Sequence, residues 1–241
     1  MVALIVWAAP ALGSAAETIS FTARDRVQVF ADYYPAQSAA QPLILLFHQA
    51  GSNRGEYATI APMLVALGFN ALAIDQRSGG SAGGRVNETV QHLGRSTGFG
   101  EALADLEAAV SWAKSSGHGG KLIVWGSSYS AALVFLLAAN HKDEIAAILA
   151  FSPGEFLGGA NDVRRAAAQV SAPIFVTSAK EAGEIAAAKA ILDATPSTVK
   201  TQFVPHLAGI HGSATLRAER NPKGAGENWD AVKSFLSKLS T

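Results

Sequence analysis

Apolar residues follow two rhythms along this chain. Short runs stand at Leu43-Ile44-Leu45-Leu46-Phe47, at residues 69–74 (interrupted only by Asn70), at Leu122-Ile123-Val124-Trp125, at residues 145–151 and at Ile174-Phe175-Val176. Such runs mark strands buried on both faces. Between them lie segments whose apolar residues recur at helical spacing, such as Leu103, Leu106, Val110 and Ala113, or Trp229, Val232, Leu236 and Leu239. The spacing predicts helices over 57–67, 101–114, from 130 onward, 182–194 and 228–239, and a short polar helix ending near 169. Alternation of Ile19, Phe21, Val27, Val29 and Ala31 with polar residues predicts a hairpin over 18–35, turning at Arg24-Asp25-Arg26. Residues 198–204 alternate as a last strand. Strands alternating with helices predict an α/β fold, a doubly wound, mostly parallel sheet with helices on both faces. No composition shift divides residues 17–241, which read as one domain.

One stretch organises the rest. Leu122-Ile123-Val124-Trp125 reads as a buried strand, Gly126-Ser127-Ser128-Tyr129-Ser130 as a sharp turn, and the apolar segment that follows as a buried helix. A serine at the apex of a strand-to-helix turn has its Oγ lifted clear of the sheet. It also has the unpaired N–H groups of the helix start beside it, ready to stabilise an oxyanion. The common form is G-x-S-x-G; here Ser130 holds the last position. The competing reading is a plain turn whose serines only cap the helix.

In an open α/β sheet, groups that act together lie beyond the carboxyl ends of the strands. The loops leaving those ends carry His48-Gln49-Ala50-Gly51, Ser128, Glu181 and His211. A serine needs a base to attack at neutral pH, and the base needs an acid to fix its tautomer. Ser128, Glu181 and His211 supply these parts in that chain order. Glu155 and Glu184 are the alternative acids, and His206 is the alternative base. His48 reads as a structural residue under its loop, and His92, His118 and His141 as surface residues. Phe99, Tyr129 and Phe156 stand where they would line a substrate pocket, although aromatic residues at such places commonly belong to the core.

Composition narrows the chemistry. Nineteen basic residues balance nineteen acidic ones, so no nucleic-acid or anionic-membrane partner is expected. With no cysteine, disulfides, thiolate metal sites and a cysteine nucleophile are excluded. No histidine pair has metal-ligand spacing, so no metal is expected. The glycines of Gly79-Gly80-Ser81-Ala82-Gly83-Gly84 do not form a phosphate loop, since no G-x-x-x-x-G-K-[ST] is present; no cofactor is expected. Residues 1–16 carry no charged side chain and end in Ser14-Ala15-Ala16, which reads as a signal peptide and export to the periplasm or medium. The stretch is too short for a stable membrane span.

The chain resembles the α/β-hydrolase family, in particular its small dienelactone-hydrolase-like esterases. The resemblance rests on His48-Gln49-Ala50-Gly51, Asp75-Gln76-Arg77-Ser78-Gly79-Gly80-Ser81 and Gly126-Ser127-Ser128-Tyr129-Ser130, together with Glu181 and His211-Gly212. It implies Ser128 as nucleophile, His211 as general base, Glu181 as the orienting acid, and an oxyanion hole built from the amides of Tyr129 and of Ala50 or Gln49. Dienelactone hydrolases use a cysteine nucleophile, so the resemblance implies a serine esterase instead. Only about twenty residues separate Phe151 from Pro173, too few for a large lid, which points to esters of small or short-chain acyl groups. A peptidase or thioesterase with the same triad, and a catalytically silent binding protein of this fold, are the alternatives. Oligomeric state is not legible.

Overall fold

A computed structural model describes residues 15–118 and 121–239. The export signal expected over 1–16 therefore falls, apart from its last two residues, outside the described residues. The strands are β1 (Glu17–Thr22), β2 (Gln28–Tyr34), β3 (Leu43–Phe47), β4 (Asn70–Ile74), β5 (Leu122–Ser127), β6 (Ile145–Phe151), β7 (Ile174–Thr177) and β8 (Lys200–Phe203). They form one sheet in the order β1-β2-β4-β3-β5-β6-β7-β8. The β1–β2 hairpin is antiparallel and joins β4 antiparallel; every other pairing is parallel.

The helices are α1 (Ala61–Ala66), α2 (Glu88–Leu93), α3 (Leu103–Ser115), α4 (Tyr129–Asn140), α5 (Asp162–Ala167), α6 (Ala182–Ala194) and α7 (Ala225–Ser237). Two apolar cores flank the sheet, and the pleat assigns alternate residues to each. Leu43, Leu45 and Phe47 of β3 face the core filled by α3, α4, α5 and α6. Ile44 and Leu46 face the core filled by α1 and α7. This is why the β3 run is unbroken: both faces are covered, and each Leu or Ile taken from water contributes roughly 1.5–3 kcal/mol. Helix α4 is apolar all round because it is buried nearly all round, from Tyr129 to Ala138.

The helix expected over 57–67 is broken. Residues Arg54–Tyr57 form a 3-10 turn capped by Asn53, and α1 starts only at Ala61, with Pro62 in its first turn. Helix α2 has no counterpart in the expected elements. Its signals are local: the Asn87 side chain accepts from the Val90 amide, and Gly94, at φ 78°, ends it. Between β6 and β7 only α5 intervenes, so no large lid covers the sheet there.

The chain steps from β3 outward to β4 and returns to β5 on the other side of β3. The strand order reverses there, and the loops leaving β3 and β5 diverge to open a crevice. Two buried arginines hold the loop after β4 beside this crevice. Arg54 bonds Asp32 through Nε at 2.9 Å and also pairs with Asp75 and Glu88. Arg77 bonds Asp105 through Nη2 at 2.7 Å, and Asp105 in turn accepts the Arg77 amide at 2.8 Å.

Candidate active site

Strand β5 passes into α4 through one residue, Ser128, whose backbone sits at φ 59°, ψ −122°. A non-glycine residue there carries strain of order 1–3 kcal/mol and persists only where its surroundings impose it. Gly126 is required, because a Cβ on it would collide with the backbone of Ser130 and Ala131. Ser130, in the place of the usual last glycine, is buried and has its own task. Its hydroxyl donates to the His48 carbonyl at 2.6 Å and accepts from Gln76 Nε2 at 2.9 Å. The elbow is thereby tied to the loops after β3 and β4.

Ser128 Oγ lies 2.8 Å from His211 Nε2, and His211 Nδ1 lies 2.9 Å from Glu184 Oε1. The carboxylate can only accept, so Nδ1 carries the proton and Nε2 receives the serine hydroxyl. The acid on the imidazole is thus Glu184 and not Glu181. Glu181 is the exposed residue preceding the first turn of α6. Helical Cα–Cβ bonds tilt toward the N-terminus, so a first-turn side chain reaches back over the strand end while the capping residue does not. The Ala179 amide donates to Glu184 Oε2 at 3.2 Å and steadies it. Burial pushes the Glu184 carboxyl up, but hydrogen bonds from His211, Ser152 and the Ala179 amide outweigh it and leave it below the usual range.

The other expected site residues divide. Ala50 is exposed at the turn of the loop after β3, and its amide donates to no group among the described residues. The Gln49 amide donates to Glu56 Oε2 at 2.9 Å, which removes it as an oxyanion donor. Tyr129 is the first residue of α4, so its amide has no intrahelical acceptor. Its ring is buried, with its hydroxyl 2.6 Å from Ser78 Oγ and accepting from Gln76 Nε2. Phe99 stacks on that ring at 4.4 Å between centroids and stays 36% exposed, and Phe156 is 40% exposed.

His48 is wholly buried. Its Nδ1–H donates to the Gln49 carbonyl at 2.8 Å, and its Nε2 accepts from the Gln76 amide at 3.0 Å. Burial pushes its pKa down to about 4, so it stands neutral beneath the loop. The alternative base His206 is exposed; its amide donates to Glu227 and its carbonyl accepts from Lys180, and neither bond joins it to the elbow. Glu155 accepts the Val163 amide at 2.8 Å at the start of α5. His118, expected at the surface, is buried against the rings of Tyr33 and Trp112. No cluster able to hold a metal occurs among the described residues.

Sequence reasoning passed over Glu56. It is buried, one of its carboxylate oxygens has no hydrogen-bond partner among the described residues, and burial pushes its pKa up. A carboxyl there has no local signal in the sequence, since Glu56 reads as any polar residue at a helix start.

Fold and site together define an α/β-hydrolase with a serine at its elbow. The Hydrolase_4 family, described as serine aminopeptidase, S33, matches residues 38–179, and the chain belongs to that family. No curated protein sequence matches. Among solved structures, the fold is similar to a dienelactone hydrolase from Anabaena variabilis, with 14% identity, TM-score 0.72, and 93% of this chain and 97% of that one covered. A thermostable carboxyl esterase from Bacillus coagulans is similar at 13% identity and TM-score 0.71, over 95% of this chain and 100% of that one. An esterase from Pyrococcus furiosus is similar at 19% identity and TM-score 0.69, over 93% and 92%. The chain is therefore a hydrolase of this class, and ester hydrolysis is the general chemistry that this membership supports.

Proposed function

We propose that the protein hydrolyses carboxylic esters of small or short-chain acyl groups through an acyl-enzyme on Ser128. The observation that carries this reading is Ser128 Oγ at 2.8 Å from His211 Nε2 on a strained elbow. His211 takes the Ser128 proton as Oγ attacks the ester carbonyl, and Glu184 stabilises the imidazolium that forms. The oxyanion is received by the amides of Tyr129 and Ala50. His211 then gives its proton to the departing alkoxide, leaving Ser128 acylated. In the second half His211 takes a proton from water, hydroxide equivalent adds to the acyl carbon, and Ser128 leaves with that proton. Exposed Phe99, stacked on the Tyr129 ring, and exposed Phe156, in the segment after β6, are the apolar walls this reading assigns to the substrate. The short β6–β7 connection leaves the entrance uncovered, which supports small substrates over lipid surfaces.

The family description names an aminopeptidase, and this is the second reading. The test is fluorophosphonate labelling of wild type and Ser128→Ala, with p-nitrophenyl esters of rising acyl length and aminoacyl p-nitroanilides as substrates. Label on Ser128 with turnover falling as the acyl chain lengthens supports the proposal. Faster turnover of the anilides favours the peptidase. A folded wild type that takes no label leaves the binding-protein alternative.

A further inference from the structure

The histidine loop is held by hydroxyls from two neighbouring strand ends. The Gly212 amide donates to Ser152 Oγ at 3.0 Å, and the next amide, Ser213, donates to Ser127 Oγ at 2.9 Å. Ser213 Oγ in turn accepts from the Trp125 indole at 2.8 Å. Ser127 is the last residue of β5, and Ser152 follows the last residue of β6, where Ser127 pairs with Phe151. Both serines are buried. Ser152 has φ 55°, the left-handed region, although it is not glycine. Strain of that kind persists where the surroundings impose it, and here the hydroxyl has a defined task.

From this geometry we infer that Ser127 and Ser152 are positioning residues, a two-point latch that holds His211 in line with Ser128 by receiving the two amides after it. The inference rests on the hydrolase reading above. Neither hydroxyl touches the reacting atoms. Each acts through the backbone of 212–213. Successive amides bound to adjacent strands leave the loop no freedom to pivot about one bond. Productive geometry at a serine–histidine pair tolerates little error: a displacement of about 1 Å lowers turnover by about 100-fold.

The experiment compares wild type with Ser127→Ala, Ser152→Gly and Thr177→Val on a p-nitrophenyl ester. Each variant is titrated with a fluorophosphonate to count active sites. Ser152→Gly suits the left-handed backbone, so folding is not compromised by the change itself. Thr177→Val is the control: it removes a buried strand-end hydroxyl that has no partner among the described residues. The latch requires Ser127→Ala and Ser152→Gly to lower kcat and the labelling rate together by about 10- to 100-fold. KM should stay within about threefold and Tm should fall by no more than about 12 °C, the loss of one acceptor for a buried amide, with Thr177→Val like wild type. Full kcat per titrated site in both serine variants overturns the latch, as does a loss confined to the number of titrated sites. An inert wild type overturns the hydrolase reading and the latch with it, and is told apart by the failure of wild type itself to label.

Discussion

Glu184 Oε1 lies 2.9 Å from His211 Nδ1, on the side of the imidazole away from Ser128. An acid so placed holds the proton on Nδ1 and leaves Nε2 to act as base. Glu184→Gln keeps the size but loses the charge and permits the wrong tautomer. It should lower kcat by roughly 10³- to 10⁴-fold with little change in KM. Glu181→Gln should stay within about twofold of wild type, because a surface charge away from the imidazole contributes little. Steady-state kinetics on the two variants decide which glutamate serves.

His48 makes the fold acid-sensitive in a defined window. Its pKa is about 4 in the folded chain, against an ordinary value of 6.5. Between these values the unfolded chain binds a proton that the folded chain does not, so stability falls as pH drops from 6.5 toward 4 and levels off below that. The full span corresponds to about 3 kcal/mol. Urea unfolding of wild type at several pH values in this window should show the decline. His48→Gln should unfold more readily at pH 7 and show a shallower decline on acidification.

Glu56 works in the opposite sense. Burial holds its carboxyl above the ordinary 4.5, so the unfolded chain releases this proton first and stability is lost as pH rises above 4.5. Glu56→Gln retains a carbonyl oxygen to accept the Gln49 amide and has nothing to ionise. It should match wild type near pH 4 and exceed it progressively as pH rises, measured by Tm. Glu56→Leu strands the buried Gln49 amide instead and should be destabilised by about 1–3 kcal/mol at any pH.

Ser130 and Gly126 flank Ser128 with different sensitivities. Ser130→Ala removes the donor to the His48 carbonyl and the acceptor for Gln76, and should destabilise by about 1–3 kcal/mol while folding stays intact. Gly126→Ala drives a methyl group into the next turn of backbone, which has no flexible side chain to give way, and should fail to yield a folded elbow. Circular dichroism melts of the pair should rank them in that order.

The buried strands were legible because each is covered on both faces and so reads as an unbroken apolar run: β3, β5, β6 and β7 lie where the runs lie. Strand-then-helix alternation carried the fold class for the same reason. Ser128 was legible because the elbow is a local device, made from the small residues on either side of it. His211 was reached by its place after the last strand. Helix α2 was missed because six residues with one capping asparagine leave no periodic stripe to recognise.

The apolar rhythm, the elbow and the chain order of serine, acid and histidine belong to the sequence alone, since each depends on residues near one another along the chain. Which acid meets the imidazole does not. Glu181 is the acid that the sequence favours and Glu184 an alternative three residues on, and the choice follows from Glu181 being the capping residue of α6 while Glu184 lies in its first turn, facing back over the end of β7. The same holds for Gln49, whose amide is taken by a carboxylate seven residues away, and for Ser127 and Ser152, brought to consecutive amides by the pairing of β5 with β6. Contacts across strands are set when the sheet closes, and only the tertiary structure decides them.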